Sequence, residues 1–349
     1  MRSLPRFVNE EGREFLTDHL PSGTSLAEIA NLVFEKGASW PVSSEKKTCF
    51  IDIAVSKEMA RGHRVFLDYS SNPRGFRFAD LQPKWRERYG SEIKRALGRG
   101  RREASPLNRL KEINPASIAW LKEYGIDLEA GDLIEIAPAV QHFQGGVKIG
   151  ERGNATLKGL YAAGECAGGQ HGANRPGGNA LLDGQVFGKI SGHEAALEAK
   201  SIKQRPAVNS RQTTRFRVKL KNMNLGKKAS EVRREIQAIT SQHASVVRTE
   251  KGLKAGIKVL EALKKEKIAV DERGVVFALE TENLACVAEM VLRACLMRKE
   301  SRGPHLFFSR FDDPQPLPSR DPKWRKYIVV RNRTGKMVLQ KREPAKLEV

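Results

Sequence analysis

One run of thirty residues, Gly159 to Gly188, reads GLYAAGECAGGQHGANRPGGNALLDGQVFG and constrains the fold more than any other part of the chain. Glycine and small residues crowd it. The side chains with chemistry in it are Glu165, His171, Asn174, Arg175, Asn179 and Asp183. Bare backbone of this kind approaches a planar ligand closely and presents uncovered N–H groups. The order is a short strand ending in small residues, a carboxylate, a glycine loop, and a helix beginning near Asn179. The positive end of that helix points at whatever precedes it, and a carboxylate at a strand end accepts from sugar-like hydroxyls. Such an order receives a cofactor; it also suits a structural glycine loop that holds none.

The rest of the chain bounds that choice. Its 349 residues leave room for two or more domains, and 40% hydrophobic with 30% charged residues is a globular composition. The richest apolar segment, GVVFALETENLACVAEMVLRACLM, is broken by Glu280, Glu282, Glu289 and Arg293, so it does not read as a membrane span. MRSLPRFVNEEGREFL gains acidic residues before an apolar core develops and does not read as a secretory signal. Cys49, Cys166, Cys286 and Cys295 are scattered, with no Cys-x-x-Cys pair. That argues against a disulfide framework, against a metal or iron–sulfur site carried by this chain alone, and for a reducing cytoplasmic setting.

Lys+Arg number 62 against 41 Asp+Glu, a formal charge of +21 that attracts anionic partners or substrates. The excess is densest from Lys84 to Lys111. Its GRGRR suits phosphate contacts, but only Trp85 and Tyr89 accompany it and no ordered nucleic-acid-reading motif occurs. The expectation is a solvated, helix-forming insertion, with nucleic acid disfavoured as a partner.

Periodicity predicts helices near Ser25–Glu35, Asp52–Arg61 and Pro115–Tyr124, and strands in RVFLDYS, DLIEIAPAV, GGVKI and LKGLYAAGE. After the glycine-rich run, Leu182, Val186, Ile190 and Ala195 fall at helical spacing. KKASEVRREIQAIT, EKGLKAGIKVLEALKKEK and ENLACVAEMVLRACLMRKE then predict an antiparallel helical bundle. The tail is proline-punctuated, then strand-like, then frayed.

The glycine-rich run resembles the second FAD-binding segment of the fumarate reductase/succinate dehydrogenase flavoprotein family, G-L-[YF]-A-x-G-E followed by H-G-A-N-R-x-G-G-N-S-L-L-D. RFVNEEGREFL, RVFLDYS, APAVQHFQGGVKI and RKESRGPHLFFSRFDDP resemble further segments in that family's order. The resemblance covers most of the chain and leaves the basic insertion and the tail least accounted for. It implies an α/β fold, α+β overall. Residues 1–135 would be part of a capping, substrate-covering domain with the basic insertion near 84–111. Residues 136–205 would be the second FAD-binding segment of an incomplete Rossmann-like domain, and 206–349 a C-terminal helical domain with an extended tail.

The resemblance implies FAD as cofactor. Glu165 would hold its ribityl or adenosine-side hydroxyls, and the backbone of Ala180 and Leu181, in the helix beginning near Asn179, would face the flavin pyrimidine. Arg175 would grip a substrate carboxylate, ideally as a bidentate pair, with His142 or Gln141 on the other carboxylate. Arg175 and His142 are the catalytic candidates. Glu300, Ser301, Arg302 and His305 read equally as ligand contacts or as a network packing the bundle onto the cofactor domain. The implied chemistry is hydride transfer between FAD and a small carboxylate-bearing substrate, with L-aspartate oxidation a sibling activity. Electrons would pass to an iron–sulfur subunit or a soluble acceptor, in the cytoplasm or at the cytoplasmic face of a membrane through a partner.

Three departures from the family pattern qualify this. Ile51 precedes Asp52 where the family's R-D pair supplies the arginine that protonates fumarate, and an aliphatic side chain cannot shuttle a proton. Arg61 or Arg64 would have to substitute. Counting back from Gly145–Gly146 puts Gln141, not His142, at the family's histidine position. No G-x-G-x-x-G occurs to cradle the ADP half of FAD. The expectation is therefore a chain starting partway through the capping domain, one half of a split flavoprotein that needs an N-terminal FAD-domain chain, or a truncated reading frame. The alternative is a non-catalytic flavoprotein remnant whose basic surface binds an acidic partner or nucleic acid. Ile51 and the missing fingerprint favour it; the intact GANRPGGN disfavours it.

Overall fold

A computed structural model describes residues 3–37, 41–87, 105–203 and 210–345. The chain divides into two units. The first is Met1–Pro138 with Ser245–Thr249 and Pro304–Pro318; the second is Ala139–Ala244, Glu250–Gly303 and Ser319–Val349. Most of the basic insertion, residues 88–104, lies outside the described residues.

In the first unit Arg6–Asn9, Val65–Asp68 and Ile134–Glu135 form a three-stranded antiparallel sheet in that order. Arg6 stands opposite Asp68, Asn9 opposite Val65, and Phe66 opposite Glu135. A slip of one residue would turn buried Val65 to the other face, so the core holds the register. The Leu26–Lys36 helix starts at a reciprocal cap: Glu28 N–H donates to Ser25 Oγ at 3.2 Å, and Ser25 N–H to Glu28 Oε2 at 2.9 Å. It buries Ile29, Val33 and Phe34 among Phe15, Ile51, Ala54 and Leu81.

The Cys49–Ala60 helix shows no one-sided apolar stripe because it is buried on two sides. Ile51, Ala54 and Val55 meet the core just described, while Cys49 and Ile53 meet a second one made with Val246, Val247, Leu306 and Phe308. The returning segments supply that second core and pair as parallel strands, Arg248–Thr249 with Phe307–Phe308.

The second unit opens with the parallel pair Val147–Lys148 and Ala167–Gly168. The helices Asn179–Ser201 and Ser210–Lys221 follow. The bundle foreseen from apolar spacing consists of Ala229–His243, Glu250–Leu263 and Gly274–Met297 packed on one another. Val232, Ile236, Leu253, Leu260, Ala285 and Leu292 are buried in it. A hairpin, Tyr327–Arg333 with Lys336–Arg342, closes the unit. Its two-residue turn, Thr334 (φ 50°) and Gly335 (φ 82°), has the positive φ pair that matches strand twist. No described helix is long and apolar enough to cross a membrane.

Two strand expectations shrink. DLIEIAPAV yields only Ile134–Glu135, since Pro138 cannot donate to a ladder. LKGLYAAGE is no strand. Tyr161 makes one isolated bridge to Asn154, a single 3₁₀ turn spans Gly164–Cys166, and pairing resumes at Ala167. Gly159 and Gly164, at φ 77° and 69°, break the extended backbone on either side. The Asn179 helix starts where expected, but Leu181, Leu182 and Val186 are 83%, 61% and 46% exposed. Its apolar stripe stays largely open among the described residues.

Candidate functional site

Two backbone segments cross closely at the base of the site. A Cβ on Gly146 would lie 2.2 Å from the Cys166 carbonyl oxygen, and one on Gly168 would lie 2.6 Å from the Gly146 nitrogen. These two glycines therefore make room for each other. A Cβ on Gly169, Gly172, Gly177 or Gly178 would meet nothing within 4 Å, which leaves open space around that loop.

The crossing brings the Gln141–Gln144 segment against the Gly164–Arg175 loop. Glu165 Oε1 accepts from the Phe143 N–H at 2.8 Å, and Oε2 lies 3.8 Å from His142 Nδ1. Gln144 Nε2 donates to Asn174 Oδ1 at 3.3 Å. The His142 and His171 rings meet edge-on, with centroids 5.5 Å apart. Asp183 Oδ2 lies 3.7 Å from His171 Nε2 and accepts from Gln170 Nε2 at 3.2 Å. The result is a row of carboxylate, two imidazoles and carboxylate, running from half-exposed Glu165 to buried Asp183.

Five buried polar atoms in this cluster have no hydrogen-bond partner: His142 Nε2, Gln144 Oε1, Gln170 Oε1, His171 Nε2 and Arg175 Nε. Leaving such an atom unsatisfied costs about 1–3 kcal/mol, so five in one place mark donors and acceptors that a polar ligand would satisfy. Arg175 also donates through Nη1 to the Pro176 carbonyl at 2.9 Å. Beyond it, Gly178 at φ 86° forms the N-cap of the Asn179–Ser201 helix with no side-chain cap and no acidic residue in the first turn. The N–H groups of Ala180 and Leu181 thus present the helix's partial positive charge without a side-chain partner.

The second motif sits directly on this loop. Gly303, at φ 54°, comes so close that a Cβ would lie 2.5 Å from the Ala173 carbonyl oxygen. Beside it, Glu300 is fully buried and accepts from Arg298 Nη1 at 2.7 Å, Arg302 Nε at 2.9 Å and the Arg320 N–H. Burial pushes the Glu300 carboxyl up, but the hydrogen bonds from Arg302, Arg320 and Arg298 outweigh it and hold the carboxyl below its ordinary range. Glu300 and Arg302 are thus a satisfied network. His305 pairs elsewhere, its Nδ1 2.8 Å from Arg248 Nη1 in the first unit.

Also in the first unit, Ile51 is 2% exposed in the main core, and Asp52 is bonded by Lys36 at 2.6 Å. The arginines offered as substitutes for the missing one are both engaged by carboxylates. Arg61 Nη1 lies 3.7 Å from Glu58, and Arg64 grips Glu135 with two donors. Glu58 is itself saturated, by Asn9 Nδ2 at 3.1 Å, His19 Nε2 at 2.8 Å and His63 Nδ1 at 2.8 Å. Sequence reasoning did not single out this network, nor Gln144 and Gln170. The available signal for the glutamines was their place beside the glycine pairs Gly145–Gly146 and Gly168–Gly169.

Comparison with known proteins matches residues 53–181 to "FAD binding domain" and residues 233–348 to "Fumarate reductase flavoprotein C-term". The chain is 35% identical over 215 residues to one of the subunits of fumarate reductase (CoM/CoB) from Methanothermobacter marburgensis, covering 60% of this chain and 38% of that protein. It is 26% identical over 282 residues to L-aspartate oxidase of Bacillus subtilis, covering 80% and 43%. Among solved structures, Mycobacterium smegmatis Sdh1 in complex with UQ1 matches with a TM-score of 0.61 at 27% identity, over 83% of this chain and 52% of that one. E. coli quinol fumarate reductase matches with a TM-score of 0.64 over 98% and 56%, and at 23% identity shows the fold alone. The chain spans about two-fifths of the length of the curated relatives it matches.

Proposed function

Because this chain belongs to the fumarate reductase/succinate dehydrogenase flavoprotein family, we propose that it forms the flavin-ring and substrate side of an FAD-dependent oxidoreductase acting on a small carboxylate-bearing substrate. The observation that carries this reading is the cluster of five unpaired buried polar atoms between Gln141 and Arg175. FAD is the cofactor of the family; when bound it supplies the two-electron chemistry, exchanging a hydride with the substrate.

In this reading the chain's own residues bind, orient and protonate. Arg175 Nε, already buried, joins a substrate carboxylate in a charge-assisted bond that is stronger away from water. His142 Nε2, with Gln141 beside it, takes the second carboxylate. Glu165 Oε2 is left to accept from a hydroxyl, since Oε1 holds Phe143. The helix start at Asn179, Ala180 and Leu181 favours negative charge before it. Ile51 cannot carry a proton, but His171 Nε2, 3.7 Å from Asp183, is placed to hold one.

The ADP end of FAD would lie on a G-x-G-x-x-G half from a second segment or polypeptide. The two-stranded parallel pair and the exposed Leu181, Leu182 and Val186 support this, since parallel sheets are normally covered on both faces. Residues 1–135 would then act as the capping portion and 206–349 as the helical domain. Onward electron transfer to an iron–sulfur subunit or soluble acceptor, in the cytoplasm, completes the proposal.

Cys166 provides the test, because it is exposed and adjoins Glu165. In the chain combined with a G-x-G-x-x-G half, saturating FAD should slow alkylation of Cys166 and leave Cys286 unchanged. Equal labelling of Cys166 with and without FAD would move the flavin elsewhere. Buried Ile51 favours the non-catalytic alternative, which reduction of the bound FAD by succinate or L-aspartate would exclude.

A further inference from the structure

A cleft of about 520 Å³ lies in the second unit, between Lys148 and one face of the C-terminal hairpin. Tyr327, Val329 and Arg331 alternate onto one face of the first hairpin strand, and Arg342, directly opposite Tyr327, joins them from the second. Lys148 reaches in from the Val147–Lys148 strand, its Nζ 5.3 Å from the Tyr327 ring centroid. Lys341 borders the cleft but, paired with Ile328, turns its side chain to the other face of the hairpin, its Nζ 3.7 Å from the Trp324 ring centroid. The single acidic lining residue, Glu343, is bonded by Lys326 at 2.9 Å, so its charge is already balanced. Lys148, Arg331 and Arg342 therefore share one concavity, and among the described residues no lining carboxylate is left over for them.

Three exposed like charges gathered around one cleft repel weakly in water, and an anion joining them turns that repulsion into attraction. Guanidinium forks suit phosphate oxygens, and the volume is that of an ordinary small-molecule site. The Ser210–Lys221 helix offers a contrast. It carries Arg211, Arg215 and Arg217, all exposed along a single helix rather than gathered around a cavity. We propose that the hairpin cleft binds a phosphorylated small molecule through a di- or triphosphate group, at a site separate from the cluster at His142, Glu165 and Arg175.

Calorimetric titration of the full chain with inorganic pyrophosphate, ADP and adenosine tests this. Pyrophosphate and ADP should bind saturably at one site per chain, weakening as salt rises, and adenosine should not bind. The paired variant Lys148→Ala/Arg331→Ala should weaken ADP binding by about tenfold or more. The equally charge-reducing control Arg215→Ala/Arg217→Ala should leave it unchanged, with circular dichroism confirming that both variants fold. Saturating ADP should also leave Cys166 alkylation unaltered, which separates this site from the proposed flavin seat. No saturable binding, equal weakening by both variant pairs, binding of adenosine, or protection of Cys166 by ADP would each overturn the assignment.

Discussion

Glu58 in the first unit and Glu165 in the second both stand beside histidines and polar side chains. Glu58 is fully buried, and its oxygens are taken by Asn9 and His63 on one side and His19 on the other, with Arg13 and Arg61 at 3.8 and 3.7 Å. Glu165 is half exposed and holds one backbone N–H, while His142 and His171 near it keep buried, unpaired nitrogens. The residue types are the same; the completeness differs. A fully satisfied polar network specifies a unique core, whereas a partly satisfied one is costly unless something else completes it. The first cluster is structural, and the second has the form of a binding site.

The largest break in this comparison comes at Glu58. Glu58→Ala leaves two histidines and an asparagine without their acceptor and should cost about 3 kcal/mol, read as a fall in the denaturant midpoint. A loss below about 1 kcal/mol would put Glu58 on the same footing as Glu165. Arg175→Ala should do the reverse. In the chain alone its stability should stay within about 0.5 kcal/mol of the parent. In the FAD-completed protein, carboxylate substrate should bind about 2 kcal/mol more weakly, roughly thirtyfold. Unchanged substrate affinity would remove Arg175 from the site.

The smallest effect is one of pH. Burial draws the His19 imidazole below its ordinary value of 6.5, against the raising effect of its bond to Glu58. The unfolded chain therefore takes up a proton before the folded one does, and stability falls as pH drops below 6.5 toward the folded value. The Glu58 carboxyl is pushed up by burial but drawn further down by His19, Asn9 and His63, so it adds a second loss as pH falls below 4.5. Thermal unfolding between about pH 8 and 5 should show a decline worth less than about 1 kcal/mol, shallower in His19→Gln. A flat profile would mean that His19 protonates equally in both states.

What was legible in the sequence was local. The Ser25–Glu28 cap, the bundle's apolar spacing and the helix start at Asn179 all rest on residues within a turn or two of each other. His142 and Glu165 do meet, and Gln141 and Arg175 lie on the two segments that cross at Gly146 and Gly168. That crossing was not legible: nothing local says that Gly146 exists to admit the Cys166 carbonyl. LKGLYAAGE has strand composition, yet positive φ at Gly159 and Gly164 overrides it. The two-sided burial of the Cys49–Ala60 helix was equally hidden, since half of its partners come from residues 246–308.

That helix also dictates a timetable. Lys57 is 4% exposed and its ammonium donates to the Asp313 carbonyl at 2.7 Å, 256 residues further along the chain. During synthesis, Cys49 and Ile53 emerge from the ribosome long before Val246, Leu306 and Phe308 exist to cover them. The unit whose sequence begins first thus stays unfinished until its last segment, Pro304–Pro318, has been made, and its apolar flank must be shielded for most of the chain's passage. A nascent chain halted before residue 304 would carry a folded-looking sheet with an unsealed side, the surface that chaperones and proteases recognise.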